Sequence, residues 1–282
     1  MSASRRTVSR MSTDPSSPLV LGGHVEQDDP VAEAVERKAG LSQFFLGDPQ
    51  GWKGPQVRYP GGPEALKAAA AEAGVDLYVH APYVINVATS NNRIRIPSRK
   101  LLAQHVEAAA SIGAKGIVVH GGHVLKDDDP ELGFDNWAKT FERMELPLPV
   151  LIENTAGGDG AMARRLDRLA RLWERVTDRV DSDRIGFCLD TCHAHAGGEE
   201  LAGIVDRVRS LLGRIDLVHA NDSRDAFDSG ADRHANLGSG TISGELVAEV
   251  VRAAGAPVVV ETPGGAEGQA ADIAFLRGQL DG

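Results

Sequence analysis

Cysteine is scarce: Cys188 and Cys192 are the only two in 282 residues. Two thiols in a chain of this size are not a disulfide framework, so a reduced, cytoplasmic protein is expected, with a Cys-x-x-x-Cys redox pair as the lesser reading. No apolar stretch approaches the ~20 residues of a membrane span. The first 17 residues, MSASRRTVSRMSTDPSS, lack the apolar run of a secretory signal. They read as a disordered tail, with Met11 an alternative start. An excess of positive charge is missing too: the formal net charge is −10, which argues against a sequence-independent polyanion binder. A Gly-rich phosphate loop is also lacking, because the early segment LGGHVEQDDP does not fit G-x-G-x-x-G.

What is present is a regular alternation. Hydrophobic residues make up 42% and charged residues 25%, the balance of a globular protein with ample core. Eight short apolar runs read as strands: 19–25, 41–46, 76–82, 116–122, 149–155, 185–191, 215–222 and 257–263. Between them lie helical stretches such as PEALKAAAAEAG, SRKLLAQHVEAAASIG and GAMARRLDRLARLWERV, several ending in Gly at a plausible C-cap. Eight strand–helix units with near-continuous apolar strands predict an α/β fold, a (β/α)8 TIM barrel filling one domain over residues 18–282. The longest irregular stretches follow strands two, three, four and seven, on the face where barrel enzymes build their sites.

Six of the eight runs stop at an ionisable residue. LYV is followed by His80, IVV by His120, VLI by Glu153, FCL by Asp190, DLV by His219 and VVV by Glu261. In a closed parallel barrel these strand ends meet at one mouth. Crowded carboxylates and imidazoles repel and perturb one another. A multivalent cation removes that difficulty, and zinc or manganese accepts this ligand set. There are more ligands than one tetrahedral ion takes, which implies at least two ions. His193 lies one turn beyond Asp190, and Asp232 with His234 forms a D-x-H pair that, in an extended segment, faces one side. These three could serve a third metal. Alone, a strand-end His is ordinarily a hydrogen-bonded core or surface residue, and a Glu a helix-cap partner; only the joint pattern argues otherwise. His24, His105, His123 and His195 are assigned no role.

Taken together, HAPYVIN, VVHGGH, LIENTAGG, CLDTCHA, VHANDS, DRHANLGSG and VVET resemble endonuclease IV, the zinc-dependent apurinic/apyrimidinic DNA endonucleases. The likeness runs from about Leu19 to the C-terminus. ENTAG, D-T-C-H and D-R-H-x-x-L-G in this order are specific, whereas HGGH alone would be weak. The resemblance implies a (β/α)8 barrel with three zinc ions, for which Mn2+ can substitute, and nine ligands. His80 and His120 would bind the first ion, and Glu153 would bridge it to the second. Asp190, His219 and Glu261 would complete the second, and His193, Asp232 and His234 would hold the third. The implied reaction is hydrolysis of the phosphodiester 5′ to an abasic site in double-stranded DNA, leaving a 3′-hydroxyl and a 5′-deoxyribose phosphate. Cleaning of blocked 3′ ends and action as a monomer are also implied. Glu153 and Glu261 are the expected catalytic residues.

For DNA contact the resemblance matches Tyr83 to an inserted tyrosine. It departs in FLGDPQGWKGP, where Gln50 stands in place of an intercalating arginine with Gly51 beside it, so Trp52 and Lys53 are expected to share that work. The stretch SNNRIRIPSRK carries Arg93, Arg95, Arg99 and Lys100 with no acid among them. With the charge of bound zinc, it would make a cationic mouth on an acidic exterior, because local field rather than net charge governs phosphate approach. Two rival readings are a single-metal sugar isomerase or epimerase of the same barrel type, and a catalytically silent zinc-containing DNA-binding scaffold. The isomerase would use Glu153, Asp190, His219 and Glu261 and leave the other five ligands without a role.

Overall fold

The computed structural model describes residues 19–281, so the expected tail at 1–17 lies outside the described residues. In chain order the strands are β1 (Leu21–His24), β2 (Leu41–Phe45), β3 (Asp76–His80), β4 (Gly116–His120), β5 (Val150–Glu153), β6 (Ile185–Asp190), β7 (Leu217–His219), β8 (Asp222–Ser223), β9 (His234–Ala235) and β10 (Val258–Val260). The helices are α1 (Pro30–Glu36), α2 (Gly62–Ala73), α3 (Asn92–Ser111), α4 (Pro130–Phe141), α5 (Leu166–Thr177), α6 (Thr191–Gly197), α7 (Ile204–Leu212), α8 (Gly244–Ala254) and α9 (Gly265–Leu280). Strands β1 to β7 and β10 are parallel and close on themselves in sequential order, while β8 and β9 form a separate antiparallel ribbon.

The strands are short, β-branched and buried on both faces, as a sheet covered by helices outside and by its own side chains inside requires. One cluster fills the barrel: Leu41, Tyr78, Val118, Leu151, Cys188, Leu217 and Val259, with Val20 against it. A larger one lies between the barrel and its helices. Helix α5 shows how the outer layer is written, since Leu166, Leu169, Leu172, Trp173 and Val176 form its buried stripe at helical spacing. Gly22 is needed where β1 meets β2: a Cβ there would lie 1.9 Å from the Leu41 carbonyl oxygen.

Side chains alternate along a strand, so the residue two positions beyond each inner core residue also points inward, one layer nearer the mouth. That step leads from Tyr78 to His80, Val118 to His120, Leu151 to Glu153, Cys188 to Asp190, Leu217 to His219 and Val259 to Glu261. The registers His120 to Glu153 and Asp190 to His219 set neighbouring members of this polar layer side by side.

Two expectations about the mouth change. The helix read from SRKLLAQHVEAAASIG starts six residues earlier, within SNNRIRIPSRK: α3 starts at Asn92, capped by the Asn91 side chain, which accepts from the Arg93 amide, and it carries Pro97 within its second turn. Proline's fixed φ suits a helix, and the lost hydrogen bond falls close to the N-terminal end. The seventh strand leaves the barrel after His219, and Asp222–Ser223 turns away to pair with His234–Ala235. Fully buried Asp222 explains the departure, because its carboxylate accepts from the amides of Gly240, Ile242 and Ser223 and so closes the long loop.

Candidate metal centre

Glu153, 0% exposed, is the hub of the polar layer. Its Oε2 lies 3.2 Å from His80 Nε2 and 3.3 Å from His120 Nε2; its Oε1 lies 3.0 Å from His219 Nδ1 and 3.2 Å from His193 Nδ1. Among the described residues, three groups have ligand atoms all within 4.8 Å of one another: His80, His120 and Glu153; Glu153, Asp190, His219 and Glu261; and Asp190, His193 and His234. Glu153 joins the first two and Asp190 the last two. Asp232 is not in the tight third group, yet its Oδ1 lies 3.1 Å from both His193 Nε2 and His234 Nε2.

The outer nitrogens of these rings show that the donor set fits metal ions. His80 Nδ1 donates to the Ala81 carbonyl (2.8 Å), His193 Nδ1 to the Asn154 carbonyl (3.0 Å) and His234 Nδ1 to the Glu261 carbonyl (3.3 Å). A carbonyl only accepts, so each of these rings is left with a lone pair on Nε2 aimed at carboxylate oxygen. His193 Nε2 and His234 Nε2 are buried and have no hydrogen-bond partner although Asp232 is close to both. Two electron-rich atoms do not stay bare at such distances; a proton or a cation must lie between them. An imidazole tethered by its far nitrogen to a carbonyl is also the arrangement that orients histidine ligands of zinc.

Without metal, protons take the cation's place. Burial disfavours charge on Glu153, but His219 and His120 hold its carboxyl well below the usual range. Burial likewise opposes charging of His193, whose pKa is nonetheless raised well above the ordinary value by Asp190, Asp232 and Glu153. His234 is pushed up to about 9, against its burial, by Asp232 and Asp190. Asp190, unlike Glu153, is raised, because its burial outweighs the pull of the neighbouring imidazoles. Metal ions displace such protons when they bind.

Local structure aims these groups. Asp190 ends β6 and also caps α6, accepting from the His193 amide at 2.6 Å, so the helix begins at once and swings His193 toward Glu153. Asn154 bridges β5 to β6 through both amide groups, with Oδ1 accepting from the Asp190 amide and Nδ2 donating to its carbonyl. Asn221 donates to Asp190 Oδ2 at 2.7 Å and accepts from the Glu261 amide at 2.8 Å. Sequence reasoning missed these asparagines, and it also passed over His24, whose Nδ1 is 3.2 Å from Glu261 Oε1. Gln43 lies two residues beyond inner-core Leu41, so the rule that leads to the other strand-end residues would have found it, whereas His24 lies four residues beyond Val20, with Gly22 at the intervening inward position. His105, His123 and His195 do not join the three groups.

The residues expected to meet DNA fall in two sets. Tyr83 is half exposed, its ring 5.4 Å from those of His80 and His120, and its amide donates to Pro49 of the loop after β2. Burial, then the Glu261 and Glu153 charges, raise its pKa, so the phenol stays protonated. Trp52 is also half exposed on that loop, beside exposed Gln50 and Lys53. The basic stretch is divided: Arg93 and Lys100 are exposed, whereas Arg95 donates to the Thr89 and Ser90 carbonyls and Arg99 to Thr140 and Asn136 on α4. Exposed Phe227, on the loop after β8, went unnoticed; it meets the His195 ring edge-on.

A closed (β/α)8 barrel with a polar inward layer at its mouth defines the class, and the chain belongs to the xylose isomerase-like TIM barrel family, whose model matches residues 32–279. A D-tagatose 3-epimerase-like protein shares the fold at 20% identity, with a TM-score of 0.73 over 93% of this chain and 97% of that one. Within this class the chain belongs to the endonuclease IV family of nucleases, which are phosphodiester hydrolases. It is 53% identical over 264 residues to the probable endonuclease 4 of Mycobacterium leprae, covering 94% of this chain and 100% of that one. It is 54% identical over 259 residues to that of Mycobacterium tuberculosis, covering 92% and 98%. Endonuclease IV from Thermus thermophilus superimposes with a TM-score of 0.79 at 29% identity, over 93% of this chain and 99% of that one.

Proposed function

We propose that the protein is a cytoplasmic DNA repair endonuclease that hydrolyses the phosphodiester 5′ to abasic sites, leaving a 3′-hydroxyl and a 5′-deoxyribose phosphate, and that it also clears blocked 3′ ends. It acts as a monomer on double-stranded DNA. The observation that carries this reading is the fusion of three metal-competent groups through Glu153 and Asp190 at one mouth. A single-metal epimerase has no use for the outer two.

His80, His120 and Glu153 would hold one zinc ion; Glu153, Asp190, His219 and Glu261 a second; His193, His234 and Asp232 a third, with manganese an acceptable substitute. Bound there, zinc lowers the pKa of water into the neutral range and offsets charge building on phosphate oxygens. The side chains do the rest. Glu153, tied to rings from four elements, fixes the spacing of the groups. Glu261, at the edge of the cluster and reachable from solvent, orients the attacking water and takes its proton. Tyr83, held as a neutral phenol, presents its ring and a hydrogen-bond donor to the lesion, and Trp52 on the adjoining loop supplies a stacking face. Gln50, Lys53, Arg93 and Arg95 lie at the duplex, Arg95 by ordering the start of α3 and the others by direct contact.

The test is a synthetic duplex with one abasic analogue, assayed with zinc, after chelation and after zinc is returned. Incision on the 5′ side that is lost and restored supports the reading, and metal analysis should give near three zinc per chain. About one zinc without nicking points to the epimerase; full zinc without nicking points to a silent scaffold.

A further inference from the structure

The inward position of β2 carries a side chain that the metal centre leaves without a role. Gln43 is fully buried, and its amide touches two residues of the second group. Its Nε2 donates to Glu261 Oε1 at 2.7 Å and lies 3.1 Å from His24 Nδ1, while its Oε1 is 2.9 Å from His219 Nε2. Donor and acceptor roles follow in order. The ionised Glu261 carboxylate only accepts, so it turns the Gln43 NH2 toward itself. The amide oxygen then faces His219 and also only accepts, so His219 carries its proton on Nε2. The His219 Nδ1 lone pair is left facing Glu153 Oε1 at 3.0 Å and Glu261 Oε2 at 3.3 Å. The Cys188 thiol also neighbours this ring, but sulfur is the weaker acceptor.

We propose that Gln43 is a positioning residue for the second ion: it selects the His219 tautomer that presents Nδ1 to the metal and holds Glu261 at its Oε1 edge. The inference rests on the reading of Glu153, Asp190, His219 and Glu261 as a metal-binding group. Barrel interiors are ordinarily filled by branched apolar side chains, and an apolar residue at position 43 would leave the buried His219 ring with only the weaker Cys188 sulfur in place of the amide oxygen. Partners that orient a metal ligand are worth roughly 10- to 100-fold in affinity.

Two variants test the role, Gln43→Met, close in size but without the amide, and Gln43→Glu, which keeps an acceptor for His219. Ring 15N spectra of the full chain, with and without zinc, read the tautomer. Competition with a chromogenic zinc chelator reads the affinity of each ion, and thermal unfolding reports folding. The parent chain should show His219 protonated on Nε2. Gln43→Met should mix the tautomers and weaken one ion of the complement by about 10- to 100-fold with the others unchanged; Gln43→Glu should restore the single tautomer. An unchanged tautomer and unchanged affinities in Gln43→Met overturn the role of Gln43 alone. If that variant does not fold, loss of the Nε2–H tautomer in Gln43→Glu overturns it. A parent chain that binds no zinc at this group overturns the metal reading as well.

Discussion

Glu153 and Glu261 are both inward strand-end carboxylates, yet their surroundings separate their tasks. The Glu153 side chain is 0% exposed and faces His80, His120, His193 and His219, whereas that of Glu261 is 13% exposed and faces His24, Gln43 and His219. A proton acceptor must exchange with water, which favours Glu261. Glu261→Gln should keep most of its zinc and lose about 10²- to 10⁴-fold in incision rate, the usual worth of general base catalysis; full zinc with full rate would remove the role. Asp232→Asn should release one zinc per chain, read by metal analysis, because His193 and His234 share that carboxylate oxygen. Six ligand candidates were legible in the sequence because each terminates an apolar run, and Asp232 with His234 because a D-x-H spacing is informative in extended chain. Gln43 and His24 were not legible in that way. Gln43 is embedded in LSQFF, so no apolar run ends on it, and His24 follows two glycines rather than a hydrophobic stretch.

Elements set where those residues can go, and α3 gives the clearest test outside the metal centre. His105 is buried in it with neither ring nitrogen hydrogen-bonded, and burial lowers its pKa to about 4. Between that value and the ordinary ~6.5 the unfolded chain takes up a proton that the folded chain refuses. The stability gained from the neutral ring is therefore complete above pH ~6.5 and is lost as pH falls toward 4. His105→Leu should lose roughly 2 kcal/mol less than the parent chain between about pH 7 and pH 5, measured by denaturant unfolding. Metal ligands titrate in both proteins, so the difference isolates His105. The eight barrel strands could be read from the sequence because buried parallel strands are near-continuous apolar runs. The start of α3 and the departure of β8 could not, since both depend on polar side chains, Asn91 and Asp222, whose backbone partners only the fold brings near.

At the scale of the whole molecule the question is how a chain of net charge −10 meets a polyanion. The mouth gathers four carboxylates, those of Glu153, Asp190, Asp232 and Glu261. Three divalent ions would more than neutralise them, and exposed Arg93, Lys100 and Lys53 add to the same sign. Binding should then be a local electrostatic event on an otherwise repulsive particle. For about five phosphate contacts the logarithm of affinity should fall with the logarithm of salt at a slope near −4.5, since each contact contributes roughly −0.9. The chelated chain behaves differently in kind, because the protons taken up by His193 and His234 offset the acid of its mouth without supplying the net positive charge that three divalent ions would. Fluorescence anisotropy of a labelled abasic duplex should therefore give a steep slope with zinc, and at least about tenfold weaker binding after chelation at every salt concentration. Equal affinity with and without zinc would place the attraction in the exposed cations alone and detach DNA binding from the metal centre.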